Sequence, residues 1–97
     1  MPASSDRPSG ETVTLAARLP DGVALHARPA ADLVRAAGRL PATVTISANG
    51  RQANARSILE ILALGAVGGT ELTISASGPD AERAASTLAD LIAGLGT

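Results

Sequence analysis

Residues 43–54 read TVTISANGRQAN, and this stretch decides which fold the rest of the chain can adopt. Apolar and polar side chains alternate over residues 43–48, which is typical of a strand with one buried face. The dipeptide Asn49-Gly50 follows, and it favours a type I′ turn because that turn needs positive φ at both central positions. The stretch therefore predicts a β-hairpin whose second strand returns antiparallel through Ala53.

Two further segments are predicted to be strands because apolar and polar residues alternate in them. The first starts at Thr12, and the second spans Thr70 to Ala76. Their apolar faces, which should point into the core, consist of Val13, Leu15, Ala17 and Leu19 in the first and of Leu72, Ile74 and Ala76 in the second.

Three segments repeat apolar residues at intervals of three and four, which is typical of amphipathic helices. The first begins at Ala27 and should end near Gly38. The second spans Ile58 to Leu64. The third follows a Gly-Pro-Asp sequence, in which Pro79 suits the first helical position because proline has no N–H to leave unpaired.

The predicted order is β-α-β-β-α-β-α, which indicates an α+β fold. Each strand has one apolar face and each helix one apolar stripe, and all are buried when the three helices stack on one face of a four-stranded sheet. Residues 1–11 are rich in Pro, Ser and Gly and lack the apolar centre of a signal peptide, so we predict a disordered N-terminal tail. Residues 12–97 then form one domain.

The composition excludes several functional classes. The 97 residues include no Cys, one His and no aromatic residue, so zinc sites, thiol catalysis and aromatic stacking on bases are not expected. A net charge of −1 gives no basic surface for nucleic acid. No apolar run is long enough to span a bilayer. We expect a monomeric cytoplasmic protein that inserts into no membrane, binds no nucleic acid and needs no cofactor or metal.

The strongest candidate for chemistry is His26, which comes just before the first predicted helix. The N–H groups of a first helical turn have no partners within the helix and favour anions, so Ala27 and Arg28 offer donors there. The Arg28 guanidinium suits phosphate oxygens, and a neutral imidazole has a nucleophilic nitrogen. These groups together fit a phosphoryl group held covalently on the histidine. A capping or half-buried histidine without a function remains the alternative.

The second predicted helix is unusually apolar, and Glu60 is its one charged residue. Ile58, Ile61 and Leu62 can share a core face, with Leu62 near its edge, whereas Leu59 points away from it. This pattern indicates either a docking surface or a more deeply buried helix. Ser57, which precedes the helix, is a good N-cap residue.

The chain resembles HPr, the histidine-containing phosphocarrier family of the bacterial phosphoenolpyruvate-dependent sugar phosphotransferase system. The segments ALHARPAADLV, ANG, RSILEILALG and GGTELTISASG occur in the family's order and spacing, and the similarity covers about residues 12–93. The resemblance implies an open-faced β-sandwich, with three helices over a four-stranded antiparallel sheet.

The resemblance also implies a role for each candidate residue. His26 would accept a phosphoryl group on Nδ1 (a pros-phosphohistidine) from Enzyme I and pass it to the IIA domains of sugar permeases, with Arg28 beside it. Such a protein is a shuttle rather than an independent enzyme. Ser57 matches the serine that HPr kinase/phosphorylase modifies in many relatives. Leu59 and Leu62 match residues that contact Enzyme I, IIA domains and, in some lineages, a transcriptional regulator.

Two positions depart from the family pattern. Ala24 stands where the family usually has glycine, so the backbone conformation before His26 can differ from that of the family, and with it the geometry of phosphoryl transfer. Glu60 brings a carboxylate close to Ser57, and its charge disfavours a phosphoserine there. Two other functions stay open: a regulatory module that acts through the helix after Ser57, and a paralogous carrier in a nitrogen-related or dihydroxyacetone kinase branch.

Overall fold

The computed structural model describes residues 12–95, which form four strands and three helices. The elements are β1 (Thr12–Arg18), α1 (Ala27–Gly38), β2 (Thr43–Ala48), β3 (Arg51–Asn54), α2 (Ile58–Ala63), β4 (Glu71–Ser77) and α3 (Ala81–Ala93). Their order is the predicted one. The predicted N-terminal tail, residues 1–11, lies outside the described residues, as do residues 96–97.

The strands form one antiparallel sheet in the order β1-β4-β2-β3. Ile74 in the central strand β4 pairs with Leu15 on one side and with Ile46 on the other. The inward-facing residues of β2 and β4 are buried, whereas the alternate residues face away from the helices. The α+β prediction and the open-faced, helix-covered antiparallel sheet are therefore confirmed.

The core is entirely aliphatic. Its largest fully buried side chains are Leu19, Leu33, Ile46, Ile61, Leu72, Ile74, Leu88 and Ile92. Burial of one such side chain contributes about 1.5–3 kcal/mol of transfer free energy. Both α1 and α2 contribute a member, so each helix is anchored on the side opposite to the one that it presents to solvent.

The β2–β3 hairpin turns as predicted. Asn49 and Gly50 have φ angles of 55° and 75°, as a type I′ turn requires. The Asn49 Nδ2 group also donates a hydrogen bond to the Leu64 carbonyl at 3.0 Å. The hairpin thus holds the C-terminal end of α2 in place.

Three predictions about individual residues were wrong. Leu15 is 37% exposed because β1 is an edge strand, with a neighbouring strand on one side only. Ile58 is 38% exposed because it lies in the first turn of a six-residue helix whose buried member is Ile61. Pro79 precedes α3, which begins two residues later, because Asp80 adopts a left-handed conformation (φ 57°) directly before the helix. None of the three helices in residues 12–95 has the length and hydropathy of a membrane span.

Candidate functional site

The loop before His26 packs against the loop that precedes β4. Leu25 is buried, and its N–H donates to the Ala66 carbonyl at 3.0 Å. Gly68 is in close contact with the same loop, because a Cβ atom there would lie 2.6 Å from the Gly22 nitrogen and 2.9 Å from the Pro20 oxygen. Only glycine fits at that position. The two loops are therefore packed against each other just before the histidine.

His26 is the N-cap residue of α1, in an extended conformation. Its carbonyl accepts the first helical hydrogen bond from the Ala30 N–H at 3.0 Å. The residue is exposed, and its side chain makes no capping hydrogen bond. The His26 side chain is therefore neither half-buried nor hydrogen-bonded as a cap, and the predicted position at the start of the helix is confirmed.

Hydrogen-bond donors without partners among the described residues follow His26 directly in the sequence. Within residues 12–95 the N–H groups of Ala27 and Arg28 have no acceptor, and Pro29 has no N–H at all. The Arg28 side chain is exposed and makes no hydrogen bond or ion pair with any described residue. A nucleophilic ring, two amides and a guanidinium thus belong to three consecutive residues. Such a group of donors suits a phosphoryl dianion.

Ala24 does not distort the loop before the histidine. Its carbonyl accepts the His26 N–H at 2.9 Å, which closes a tight turn. Among residues 12–95, Asn49 and Asp80 are the only non-glycine residues with positive φ. Ala24 therefore lies in a region that alanine adopts without strain, so the backbone here does not require glycine.

Apolar side chains of α2 are exposed to solvent. Leu59 is 77% exposed, Ile58 is 38% exposed and Leu62 is half-buried; we call these three residues the candidate docking surface. The deeply buried helix that the sequence also allowed is thereby excluded. Val67 is 58% exposed in the loop after α2, and sequence reasoning missed it because that loop has no periodicity.

Ser57 caps α2 as predicted, since its Oγ accepts a hydrogen bond from the Glu60 N–H at 3.2 Å. The Glu60 carboxylate turns back toward the preceding strand and accepts the Asn54 N–H at 2.7 Å. This arrangement keeps a negative charge in the first turn of α2, three residues after Ser57.

The chain is similar to known phosphocarrier proteins. Residues 11–94 match the family model described as the PTS HPr component phosphorylation site. Phosphocarrier protein HPr of Mycoplasma capricolum is 41% identical over 69 residues, which covers 71% of this chain and 78% of the relative. HPr of Streptomyces coelicolor is 47% identical over 70 residues, with 71% and 75% covered. The crystal structure of HPr from Bacillus anthracis has a TM-score of 0.79 and 36% identity, and the match covers 84% of this chain and 96% of that one.

Proposed function

We propose that His26 is the residue that carries the phosphoryl group, because this chain belongs to the HPr family. The chain is a phosphocarrier of the phosphotransferase system, which implies Enzyme I and IIA domains as partners. One observation supports this most: His26 is exposed at the start of α1, beside amides and a guanidinium without partners among the described residues.

The proposed transfer consists of two displacements at phosphorus. The lone pair of His26 Nδ1 attacks the phosphoryl group on Enzyme I, so a P–N bond forms and the bond to the donor atom breaks. A nucleophile on the IIA domain then attacks the same phosphorus, and the P–N bond breaks. In between, the N–H groups of Ala27 and Arg28 and the Arg28 guanidinium stabilise the phosphoryl oxygens.

A relay assay tests the proposal. Enzyme I and labelled phosphoenolpyruvate should place one acid-labile label on the chain, and an added IIA domain should remove it. If the chain stays unlabelled while a known HPr is labelled in parallel, the proposed function is wrong. We also propose that the carrier acts in the cytoplasm as a monomer; His26 and the candidate docking surface lie on one chain, so a second copy is not needed to bring them together.

Leu59 is proposed, with Leu62, to dock Enzyme I and IIA domains. Leu59→Glu should raise the KM for Enzyme I about tenfold or more, because a charge replaces an exposed apolar contact. Stability should change by less than about 0.5 kcal/mol, since Leu59 is 77% exposed. Steady-state kinetics and thermal unfolding measure the two effects.

A matched control adds the same charge elsewhere. Ala16 is exposed in β1, and Ala16→Glu should leave the KM for Enzyme I unchanged. A large loss of stability in Leu59→Glu, or equal KM values in the two variants, would contradict the docking role.

We also propose Ser57 as a site for HPr kinase/phosphorylase, with α2 then binding a transcriptional regulator. Glu60 opposes this modification because its carboxylate lies in the same helical turn as the phosphate. Glu60→Gln should therefore raise the initial rate of Ser57 phosphorylation about fivefold. Mass spectrometry of timed samples measures the rate, with Glu71→Gln, an exposed carboxylate on β4, as the control. Equal rates in both variants would contradict the expected repulsion.

The 77% exposure of Leu59 also favours a second candidate, a regulatory module that binds partners without passing on phosphate. A His26→Ala variant that kept every partner-dependent effect would support this candidate over the carrier.

A further inference from the structure

Arg56 joins the two helices that the proposed transfer uses. It lies just before α2, but its side chain reaches the end of α1. Nη2 donates to the Leu40 carbonyl at 2.6 Å, and Nε lies 3.4 Å from the Ala37 carbonyl. The Ala37 carbonyl also accepts the Leu40 N–H at 3.1 Å, and Leu40 itself lies just beyond α1. Both carbonyls lie at the negative end of the helix dipole, which a guanidinium is well suited to bind.

The backbone that holds Arg56 is itself fixed. Asn54 Oδ1 accepts the Arg56 N–H at 2.9 Å, and the Asn54 carbonyl accepts the Ser57 N–H at 2.9 Å. The Asn54 N–H donates to Glu60 at 2.7 Å. Arg56 therefore projects from a closed turn that is continuous with the N-cap of α2.

A second connection lies at the opposite end of the helix pair. The Leu25 N–H, just before α1, donates to the Ala66 carbonyl, just after α2. With 12 residues in α1, the two connections are about 18 Å apart. Between them the helices meet through aliphatic side chains such as Leu33 and Ile61, whose packing is not directional. The hydrogen bonds at the two ends therefore add a directional constraint on the register of α1 against α2.

We propose that Arg56 is a positioning residue for phosphoryl transfer: it holds α1, whose N-cap is His26, in register with the candidate docking surface on α2. This inference rests on the proposed function. A partner that is docked on Leu59 meets His26 in the transfer geometry only while that register is kept, and small misplacements of reacting groups cost rate.

The test is transfer from Enzyme I to Arg56→Met, which keeps the aliphatic stem and removes the donors. We expect kcat to fall about tenfold, with KM within about twofold of wild type because the docking side chains stay exposed. Leu59→Ala should change KM instead. Arg56→Lys should recover most of kcat, since an ammonium can donate to the Leu40 carbonyl. Arg83→Met, at an exposed arginine in α3, controls for the lost charge.

A second measurement does not depend on Enzyme I. Residual dipolar couplings of the unphosphorylated protein report the orientation of α1 relative to α2, which should change in Arg56→Met and not in Arg83→Met. An unchanged orientation, a kcat equal to that of Arg83→Met, or a loss confined to KM would overturn the inference. If wild type itself took up no phosphoryl group, the proposed function would be wrong. The residual dipolar couplings would still show whether Arg56 holds α1 in register with α2.

Discussion

The rate at which a His26→Ala variant accepts phosphoryl groups from Enzyme I is expected to be lower than that of wild type by a factor above about 10³, because the substitution removes the nucleophile. His26 is the one histidine in the chain, so no other imidazole can replace it. Folding should be unaffected, since the residue is exposed and its side chain makes no capping hydrogen bond. Rapid-quench labelling measures the rate, and thermal unfolding checks the fold.

The outcome that contradicts this prediction is equally specific. An acid-labile label that persists on a folded His26→Ala protein would show that another side chain carries the phosphoryl group. His26→Gln serves as the matched variant, because it keeps a polar side chain at the N-cap and removes the nucleophilic nitrogen.

The second large effect is expected at Arg28. Arg28→Ala should slow transfer about 10²-fold, the usual cost of removing one donor from a group of donors that stabilises developing charge. Arg28→Lys should recover part of the rate, because lysine restores the charge but not the planar fork. Single-turnover kinetics with phosphorylated Enzyme I measures these rates.

The prediction at Arg28 depends on the freedom of its side chain, which makes no hydrogen bond or ion pair with residues 12–95. Arg83→Ala, which removes one positive charge from α3, should keep its transfer rate within about twofold of wild type. If Arg28→Ala and Arg83→Ala had the same rate, Arg28 would have no specific role at the phosphoryl group.

Local patterns predicted the elements of this fold, because each depends on neighbours in the sequence. The turn at Asn49 and Gly50 follows from the positive φ that those residues tolerate. The strand order β1-β4-β2-β3 does not follow in this way, since it depends on pairing between distant strands. That order explains the wrong prediction for Leu15, which is exposed because β1 lies at the sheet edge.

The candidate site was predictable for a similar reason. His26 and Arg28 lie two residues apart, and a helix start alone determines which donors accompany them. Arg56 could not be found in the same way, because its partners Ala37 and Leu40 are 19 and 16 residues away. A hydrogen bond across that separation depends on how α1 and α2 pack, and sequence periodicity does not contain this information.

The most direct test of the carrier role is nitrogen-15 and phosphorus-31 NMR of the protein after reaction with Enzyme I and phosphoenolpyruvate. We predict a single phosphorus signal coupled to Nδ1 of His26, which disappears when a IIA domain is added. A phosphorus signal on any other residue would contradict the assignment of His26 as the carrier residue. The absence of a phosphorus signal on this chain while Enzyme I is itself phosphorylated would also contradict it.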